Sequence, residues 1–347
     1  MDELLSCCAE AESAADRYEA EAREAVRRLI APAGKVDPKL LEREQFAAHG
    51  FAWIATYVAA IRQMRRWAEA NADGELEQLI LQVALGEYLA QLQGGIAISQ
   101  VEIVRPADLG ADPMALDTPA VRKLVAANTS AARLRIAELI TDGLDSGNFG
   151  ALGLGDEAME EVRRQFRRFV DTEVGPHAHG WHMRDELIPL PVVQQMADLG
   201  VFGLTVPEEW GGLGMGKLAM CVVTEELSRG YIGVGSLGTR SEIAAELIRA
   251  GGTEDQKKRY LSRIASGEIL PTAVFTEPNT GSDLASLRTR AVLEGDTYKI
   301  NGNKTWITHA ARADIMTLLA RSDASKPGYQ GLSMFLAEKP RGDESDP

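Results

Sequence analysis

Residues 270–308, LPTAVFTEPNTGSDLASLRTRAVLEGDTYKINGNKTWIT, decide how this chain can fold. The apolar run at 273–275 predicts a strand that ends at the hydroxyl-rich turn TEPNTGSD. Farther on, Tyr298 and Ile300 alternate with polar residues. This alternation predicts a hairpin whose tight turn is Asn301-Gly302 and whose returning strand is KTWIT. We therefore expect a β region that carries two hydroxyl-rich strand ends.

The two hydroxyl-rich ends are suited to a planar, hydrogen-bonding ligand. At the first, Thr276 and the turn at 281–283 gather hydroxyls and main-chain amides without large side chains. On the returning strand, Trp306 and Thr308 are two residues apart and so face one side, where the indole can stack and the hydroxyl can donate. Each motif alone fits an ordinary surface turn or core aromatic. Together they favour a ligand site.

Both motifs resemble the flavin-binding surface of the acyl-CoA dehydrogenase family. The resemblance implies that the isoalloxazine ring of FAD lies against Trp306, with Thr276 and Thr308 bonding its edge and its N5 region. It also places Ser282 near the cofactor and near the phosphate end of the thioester ligand. The residues expected to bind the cofactor are Phe275, Thr276, Gly281, Ser282, Trp306 and Thr308.

A second resemblance to the same family lies upstream. The spacing of Val162, Phe166, Phe169 and Val170 predicts an amphipathic helix. The arginines expected on its solvent face are Arg163, Arg164, Arg167 and Arg168. After it, GVFGLTVPEEWGG (200–212) and TEDQKKRYL (253–261), with helices predicted at 217–228 and 242–250, match the family's N-terminal helical domain in order and spacing. The resemblance covers residues 156–347.

These patterns predict an α+β fold of the acyl-CoA dehydrogenase type. We expect an N-terminal helical extension at 1–140, a glycine-rich linker at 141–156, a helical domain at 157–268 and an incomplete middle β domain at 269–347. The helical spacing in the extension is carried by Phe46, Trp53, Tyr57, Ile61, Met64, Leu76, Leu79, Ile80, Val83, Leu92, Val121, Leu124, Val125, Leu134 and Ile140. Two interpretations of the extension stay open: a duplicate of the bundle that closes the family's fold, or an unrelated packing or dimerisation module.

The family's reaction also needs a carboxylate base, which takes the α proton of the acyl group while the flavin accepts the β hydride. In the family this glutamate lies on a C-terminal helical bundle. The present sequence ends at Pro347, before the position expected for that bundle. We therefore expect the base to lie C-terminal to Pro347 and a protein ending at Pro347 to be inactive. Residues 1–347 are then expected to be part of a longer polypeptide, or one piece of a broken or proteolysed one. The less favoured alternative places the N-terminal helices where the bundle would be.

The extension, together with VPEEWGGLGMG (206–216) and TEPNTGSDLASLRTRA (276–291), most resembles family members that act on short branched acyl-CoA substrates with a free carboxylate. Such a group needs a cation, because an unpaired buried carboxylate is costly. Arg240, in a predicted connection at 235–241, is the candidate substrate-binding clamp. The alternative is a surface arginine that caps the next helix or pairs with Glu242. After Thr308 the chain reads His309-Ala310-Ala311, whereas commoner members of the family have an asparagine and glycines there.

A competing motif is GVGSLG at 233–238, which satisfies the GxGxxG pattern of nicotinamide dinucleotide sites. That motif requires a buried strand before it, whereas 217–228 has helical spacing and βαβ repeats are missing. We therefore expect these glycines to let a helix–helix connection pass close to a neighbour.

Composition narrows the remaining classes. The net charge of −14 opposes nucleic-acid binding. No apolar run predicts a membrane span, and three cysteines without metal or CxxC spacing favour the cytoplasm. His177, His179 and His182 are expected in exposed loops, without a metal. The family implies an acyl-CoA substrate, an electron-transfer flavoprotein as acceptor, and a homodimer or homotetramer. The alternatives are another short- or branched-chain acyl-CoA dehydrogenase, an acyl-CoA oxidase, a nucleic-acid-associated relative and a non-catalytic assembly subunit. The net charge disfavours the nucleic-acid-associated relative.

Overall fold

The computed structural model describes residues 2–71, 74–145 and 149–342. Residues 146–148 of the predicted linker and residues 343–347 of the predicted β domain lie outside this part of the chain. The chain forms two compact units, residues 1–154 and residues 155–347. Helices fill the first unit, and helices followed by a sheet fill the second, so the α+β prediction is confirmed. None of the helices in the described ranges is both long and apolar enough to cross a membrane.

The first unit is built on long helices. The helices are α1 (Asp2–Ile30), α2 (Pro38–Arg43), α3 (Gln45–Asn71), α4 (Glu75–Gly94), α5 (Pro106–Leu109), α6 (Pro119–Ala127) and α7 (Ser130–Asp142). The expectation of an all-helical extension needs one correction, because β1 (Ile96–Ala97) pairs with β2 (Ile103–Val104). These strands are two residues long, too short for the period-2 pattern that would predict them.

Helix α1 was not predicted from the sequence. Its buried face consists mainly of small residues, with Tyr18 as its largest member. Small side chains let α1 approach α3 closely, and ion pairs bridge the two helices at the side of this contact. Arg62 pairs with Asp16 at 2.7 Å and with Glu19 at 2.6 Å, while Arg65 pairs with Glu12.

The end of the predicted linker packs on the first unit. The indole of Trp67 donates to the carbonyl of Ala151 at 3.0 Å, and the Ala151 amide donates to the carboxylate of Glu77 at 2.8 Å. A Cβ on Gly153 would lie 2.7 Å from the Trp67 ring, so the chain passes directly over the indole. Residues 149–154 are thus held by α3 and α4.

The second unit begins with six helices. They are α8 (Glu157–Phe169), α9 (Gly175–Met183), α10 (Leu190–Asp198), α11 (Lys217–Gly230), α12 (Ile232–Gly251) and α13 (Glu254–Ala265). One π-helical turn, Val170–Val174, joins α8 to α9. Contrary to the expectation of loops, His177, His179 and His182 lie on α9, although all three are exposed.

The amphipathic pattern predicted that the arginines of α8 face solvent, but two of them are instead partly covered by an ion pair. Arg163 and Arg167 both pair with Glu226 of α11, at 3.1 and 3.0 Å. Glu226 is only 2% exposed and also pairs with Arg229. A buried carboxylate needs such cations. The apolar positions Phe166, Phe169 and Val170 are buried as predicted.

Helix α12 starts ten residues before the predicted helix at 242–250. It includes the whole GVGSLG stretch, so this motif does not follow a strand and does not form a dinucleotide loop. A Cβ on Gly235 would lie 2.0 Å from the Ser228 hydroxyl, and one on Gly238 would lie 2.8 Å from Val201. These glycines therefore permit close packing of a helix, not of a connection.

Within residues 155–342 the sheet has five strands: β3 (Pro271–Val274), β4 (Arg290–Glu294), β5 (Thr297–Asn301), β6 (Ile315–Arg321) and β7 (Leu332–Glu338). Its order is β3-β6-β4-β5, with β7 antiparallel to β6. Strands β3 and β4 are parallel to β6, and β4 and β5 form an antiparallel hairpin.

The hairpin turn is not at Asn301-Gly302, as predicted. It is the two-residue loop Gly295-Asp296, where Gly295 has φ +67°. Residues 302–307 lie outside the strands, so KTWIT is not the returning strand. Gly302 serves a different purpose, because a Cβ there would lie 2.3 Å from the Thr289 hydroxyl. The glycine allows close passage of two chain segments.

Candidate functional site

The structure brings the two hydroxyl-rich motifs together. The amide of Thr305 donates to the carbonyl of Thr276 at 3.0 Å, and the ammonium of Lys304 donates to the carbonyl of Phe275 at 2.7 Å. A Cβ on Gly281 would lie 3.9 Å from the Thr276 methyl. The chain that leaves β3 and the segment at 304–308 therefore form one surface, with Ser282 exposed on the adjoining turn.

A buried ion pair lies beneath this surface. The carboxylate of Glu277 accepts hydrogen bonds from the amides of Arg288 and Thr289, at 2.7 and 2.8 Å, and pairs with Lys304 at 3.2 Å. The Lys304 and Glu277 side chains are only 9% and 4% exposed. Neither residue was identified from the sequence. The available signal was the presence of charged residues inside the motifs: Glu277 and Asp283 in the first, and Lys304 in the second.

The pKa values of both partners reflect this environment. Burial alone would raise the pKa of Glu277, but the hydrogen bonds from Thr289, Arg288 and Lys304 outweigh it and lower that pKa to about 2. Burial lowers the pKa of Lys304, and the attraction of Glu277 only partly offsets this effect. At neutral pH Glu277 is therefore ionised, and it is a poor proton acceptor.

Trp306 is presented outward from the joined motifs. Its side chain is 88% exposed, and its backbone has φ +57°, a left-handed conformation that is rare outside glycine. The expectation that strand alternation places Trp306 and Thr308 on one face is wrong in its premise, because this segment is not a strand. A large indole held outward at a conformational cost of roughly 1–3 kcal/mol is typical of a functional site.

Thr308 and His309 continue the surface into the protein. The carbonyl of Thr308 accepts from the Thr272 hydroxyl at 2.5 Å. His309 has φ +65°, and its Nε2 is buried without a hydrogen-bond partner among the described residues. Burial, followed by the charges of Arg312, Arg341 and Lys339, lowers the pKa of His309 to about 4, with Asp314 opposing them. The imidazole is therefore neutral at physiological pH.

Arg240 lies within α12, not in a connection, and α12 packs on β3. Its Nε is buried, and within the described ranges this atom has no hydrogen-bond partner. The alternative roles are wrong: Glu242 pairs with Lys217 instead, and a residue inside a helix does not cap the next one. Burial lowers the pKa of Arg240, although an arginine stays charged. The structure thus holds a half-buried cation on the helix beside β3.

Comparison with known proteins identifies the family of the chain. The model of the acyl-CoA dehydrogenase N-terminal domain matches residues 156–268, and that of the acyl-CoA dehydrogenase middle domain matches residues 272–344. Together they match more than half of the chain.

Individual relatives match over different lengths. (2S)-Methylsuccinyl-CoA dehydrogenase of Cereibacter sphaeroides is 58% identical over the whole chain, which spans 64% of that relative. The short-chain specific acyl-CoA dehydrogenase of Clostridium acetobutylicum is 40% identical over 52% of the chain and 47% of its own length. The crystal structure of acyl-CoA dehydrogenase from Geobacillus kaustophilus has a TM-score of 0.51 and 33% identity, covering 53% of this chain and 48% of that one. The chain belongs to the acyl-CoA dehydrogenase family.

Proposed function

We propose that this chain forms the FAD-binding and acyl-binding part of a dehydrogenase that oxidises (2S)-methylsuccinyl-CoA to mesaconyl-CoA, a step of the ethylmalonyl-CoA pathway. The observation that carries the proposal is the outward-facing indole of Trp306, held beside the paired backbones of Thr276 and Thr305. Support for the substrate comes from the relative of that name, which is 58% identical along the whole chain.

The residues at the joined motifs fit FAD. An exposed indole offers a stacking face for a tricyclic ring, and threonine hydroxyls with nearby main-chain groups offer hydrogen bonds to its edge. The residues that would hold the cofactor are Phe275, Thr276, Gly281, Ser282, Trp306 and Thr308. When bound, FAD supplies the acceptor for the hydride that leaves the β carbon.

Arg240 would hold the free carboxylate of the acyl group. A guanidinium binds a carboxylate through charge-assisted hydrogen bonds, and its buried Nε has no competing partner among the described residues. Because α12 packs on β3, such a contact would orient the acyl group relative to the surface at the end of β3. A neutral acyl group of similar shape would lack this contact.

We assign no proton-abstracting base within residues 155–342 of the described chain. The two carboxylates buried deepest there, Glu277 and Glu226, are each neutralised by cations. Such a carboxylate is a weak base. The glutamate that the reaction requires is therefore proposed to lie C-terminal to Pro347. We also propose an electron-transfer flavoprotein as electron acceptor and a homodimeric or homotetrameric assembly in the cytoplasm.

Replacing Trp306 tests the cofactor surface. Trp306→Ala removes the stacking area, so we expect the purified protein to retain less FAD per chain, measured from the visible absorption of the flavin. Met183→Ala, a change at another exposed apolar side chain of the same unit, is the matched control and should retain as much FAD as the wild type. Equal FAD content in the Trp306 variant and the control would contradict the assignment.

A further inference from the structure

The segment that carries Trp306 and Thr308 is not fixed by a sheet. Residues 302–307 lie outside the strands. Their links to the rest of the second unit include the hydrogen bond from Thr305 to Thr276 and the close passage of Gly302 by Thr289. The third link is Lys304, which reaches both the Phe275 carbonyl and the Glu277 carboxylate. Lys304 therefore joins the segment to two groups at the end of β3.

Glu277 connects the Lys304 ammonium to the chain just before β4. Its carboxylate holds the amides of Arg288 and Thr289, just before β4. One buried carboxylate thus connects three pieces of chain: the turn after β3, the start of β4, and the segment of Trp306. A side chain with three such bonds at one site specifies a backbone arrangement, because each group would be left unsatisfied if the arrangement changed.

We propose that Lys304 and Glu277 are positioning residues for FAD, which set the placement of Trp306 and Thr308 without contacting the reacting atoms. This inference rests on the proposed function. Removing the pair should then weaken FAD binding by more than the accompanying loss of stability explains.

The test compares variants of the full-length protein. Lys304→Met and Glu277→Gln are each measured for FAD affinity, by titrating the cofactor-free protein and following flavin fluorescence, and for the midpoint of thermal unfolding without FAD. We expect the Kd for FAD to rise at least about tenfold in each single variant. In the double variant the two effects on the Kd should be less than additive, because both substitutions remove the same ion pair.

Arg167→Met is the matched control. It also removes one cation from a buried carboxylate, Glu226, but this carboxylate joins two helices and is not bonded to residues 302–308. We expect its unfolding midpoint to fall while its Kd for FAD stays within about twofold of the wild type. If Arg167→Met weakens FAD binding as much as Lys304→Met does, the effect is general destabilisation and the inference is wrong.

A variant that fails to fold is replaced by Glu277→Leu with Lys304→Met. Exchange of a buried ion pair for apolar residues often preserves stability, yet the Phe275 carbonyl still loses its donor. An unchanged Kd in that folded double variant would overturn the inference while leaving the proposed function in place. A wild-type protein that binds no FAD would overturn both.

Discussion

Under the proposed function, the choice of substrate depends on Arg240. Its guanidinium is half-buried on α12, and the acid that the sequence offered as a partner, Glu242, is engaged by Lys217. Its Nε is buried without a hydrogen-bond partner among the described residues, which is unfavourable unless a ligand completes its bonding. The free carboxylate of methylsuccinyl-CoA would supply the opposite charge.

Arg240→Ala should therefore lose methylsuccinyl-CoA far more than a neutral branched acyl-CoA of similar size. Removing one partner of a desolvated charged contact costs on the order of 2–5 kcal/mol, so the ratio of the two kcat/KM values should fall roughly thirtyfold or more. Lys217→Ala, at an exposed ion pair, should leave that ratio unchanged. An unaltered ratio in the Arg240 variant would mean that another group binds the carboxylate.

His309 should make the protein sensitive to acid. Its pKa is about 4 in the folded chain and near 6.5 when unfolded. The unfolded chain therefore takes up a proton first as the pH falls, and stability is lost from about pH 6.5 to pH 4, by up to about 3 kcal/mol. His309→Asn tolerates the left-handed backbone and cannot titrate.

The measurement is the difference in unfolding midpoint between wild type and His309→Asn at several pH values. As the pH falls through that window, the unfolding midpoint of the wild type should fall more than that of the variant. Above that window the two midpoints should change with pH in parallel. His182→Asn, at an exposed position on α9, should track the wild type throughout. Parallel curves for the His309 variant down to pH 4 would show that the imidazole is not held neutral.

At this scale the sequence was informative where a residue type is chemically distinctive. Trp306 and the threonines stood out because few residues can stack or donate at a strand end. Glu277 and Lys304 did not, because nothing in the local sequence indicates that two charges 27 positions apart meet in a buried site. Their pairing depends on how the chain passes from β5 to β6, which only the folded structure provides.

At the level of secondary-structure elements, the contact of helix α1 with α3 contributes to the core of the first unit. The small residues of α1 bury its face, and Arg62 bridges to Asp16 and to the buried Glu19. The helical spacing of large apolar residues predicted α3 and α4. Helix α1 was not predicted because its buried face is largely alanine and lacks the large apolar side chains that mark α3 and α4.

Arg62→Met should destabilise the first unit by about 1–3 kcal/mol, since Glu19 then loses one of its cations in a buried position. Urea unfolding followed by helical circular dichroism measures this change. Arg122→Met breaks a pair with Asp117 in which both side chains are about half exposed, and it should shift stability by no more than about 0.5 kcal/mol. Equal effects of the two changes would rule out a special role for the bridge.

Two element boundaries show why local pattern is not sufficient. Asn301-Gly302 is a strong turn signal, yet the hairpin turns at Gly295-Asp296 because that loop brings Ala291 opposite Ile300 and places the half-buried Ile300 near the sheet core. The glycines of α12 suggested a connection, since glycine weakens a helix. Tight packing on Ser228 and Val201 outweighs that preference.

At the scale of the whole molecule, the two units have separate cores. The first is formed by residues between Cys7 and Leu124, and the clusters of the second lie between Phe166 and Ala320. The family resemblance of the second unit could be predicted because it depends on short motifs with fixed order. The function of the first unit could not, since helical spacing specifies a packed bundle and carries no chemistry.

The proposed function requires that a flavin bound at the joined motifs oxidises methylsuccinyl-CoA. The most direct measurement is the visible spectrum of the purified full-length protein during an anaerobic titration with that thioester. We expect flavin absorption bands that bleach as the substrate is added, and that bleach far less with an acyl-CoA lacking the carboxylate. A protein without flavin bands, or with bands that methylsuccinyl-CoA leaves unchanged, would contradict the proposed function.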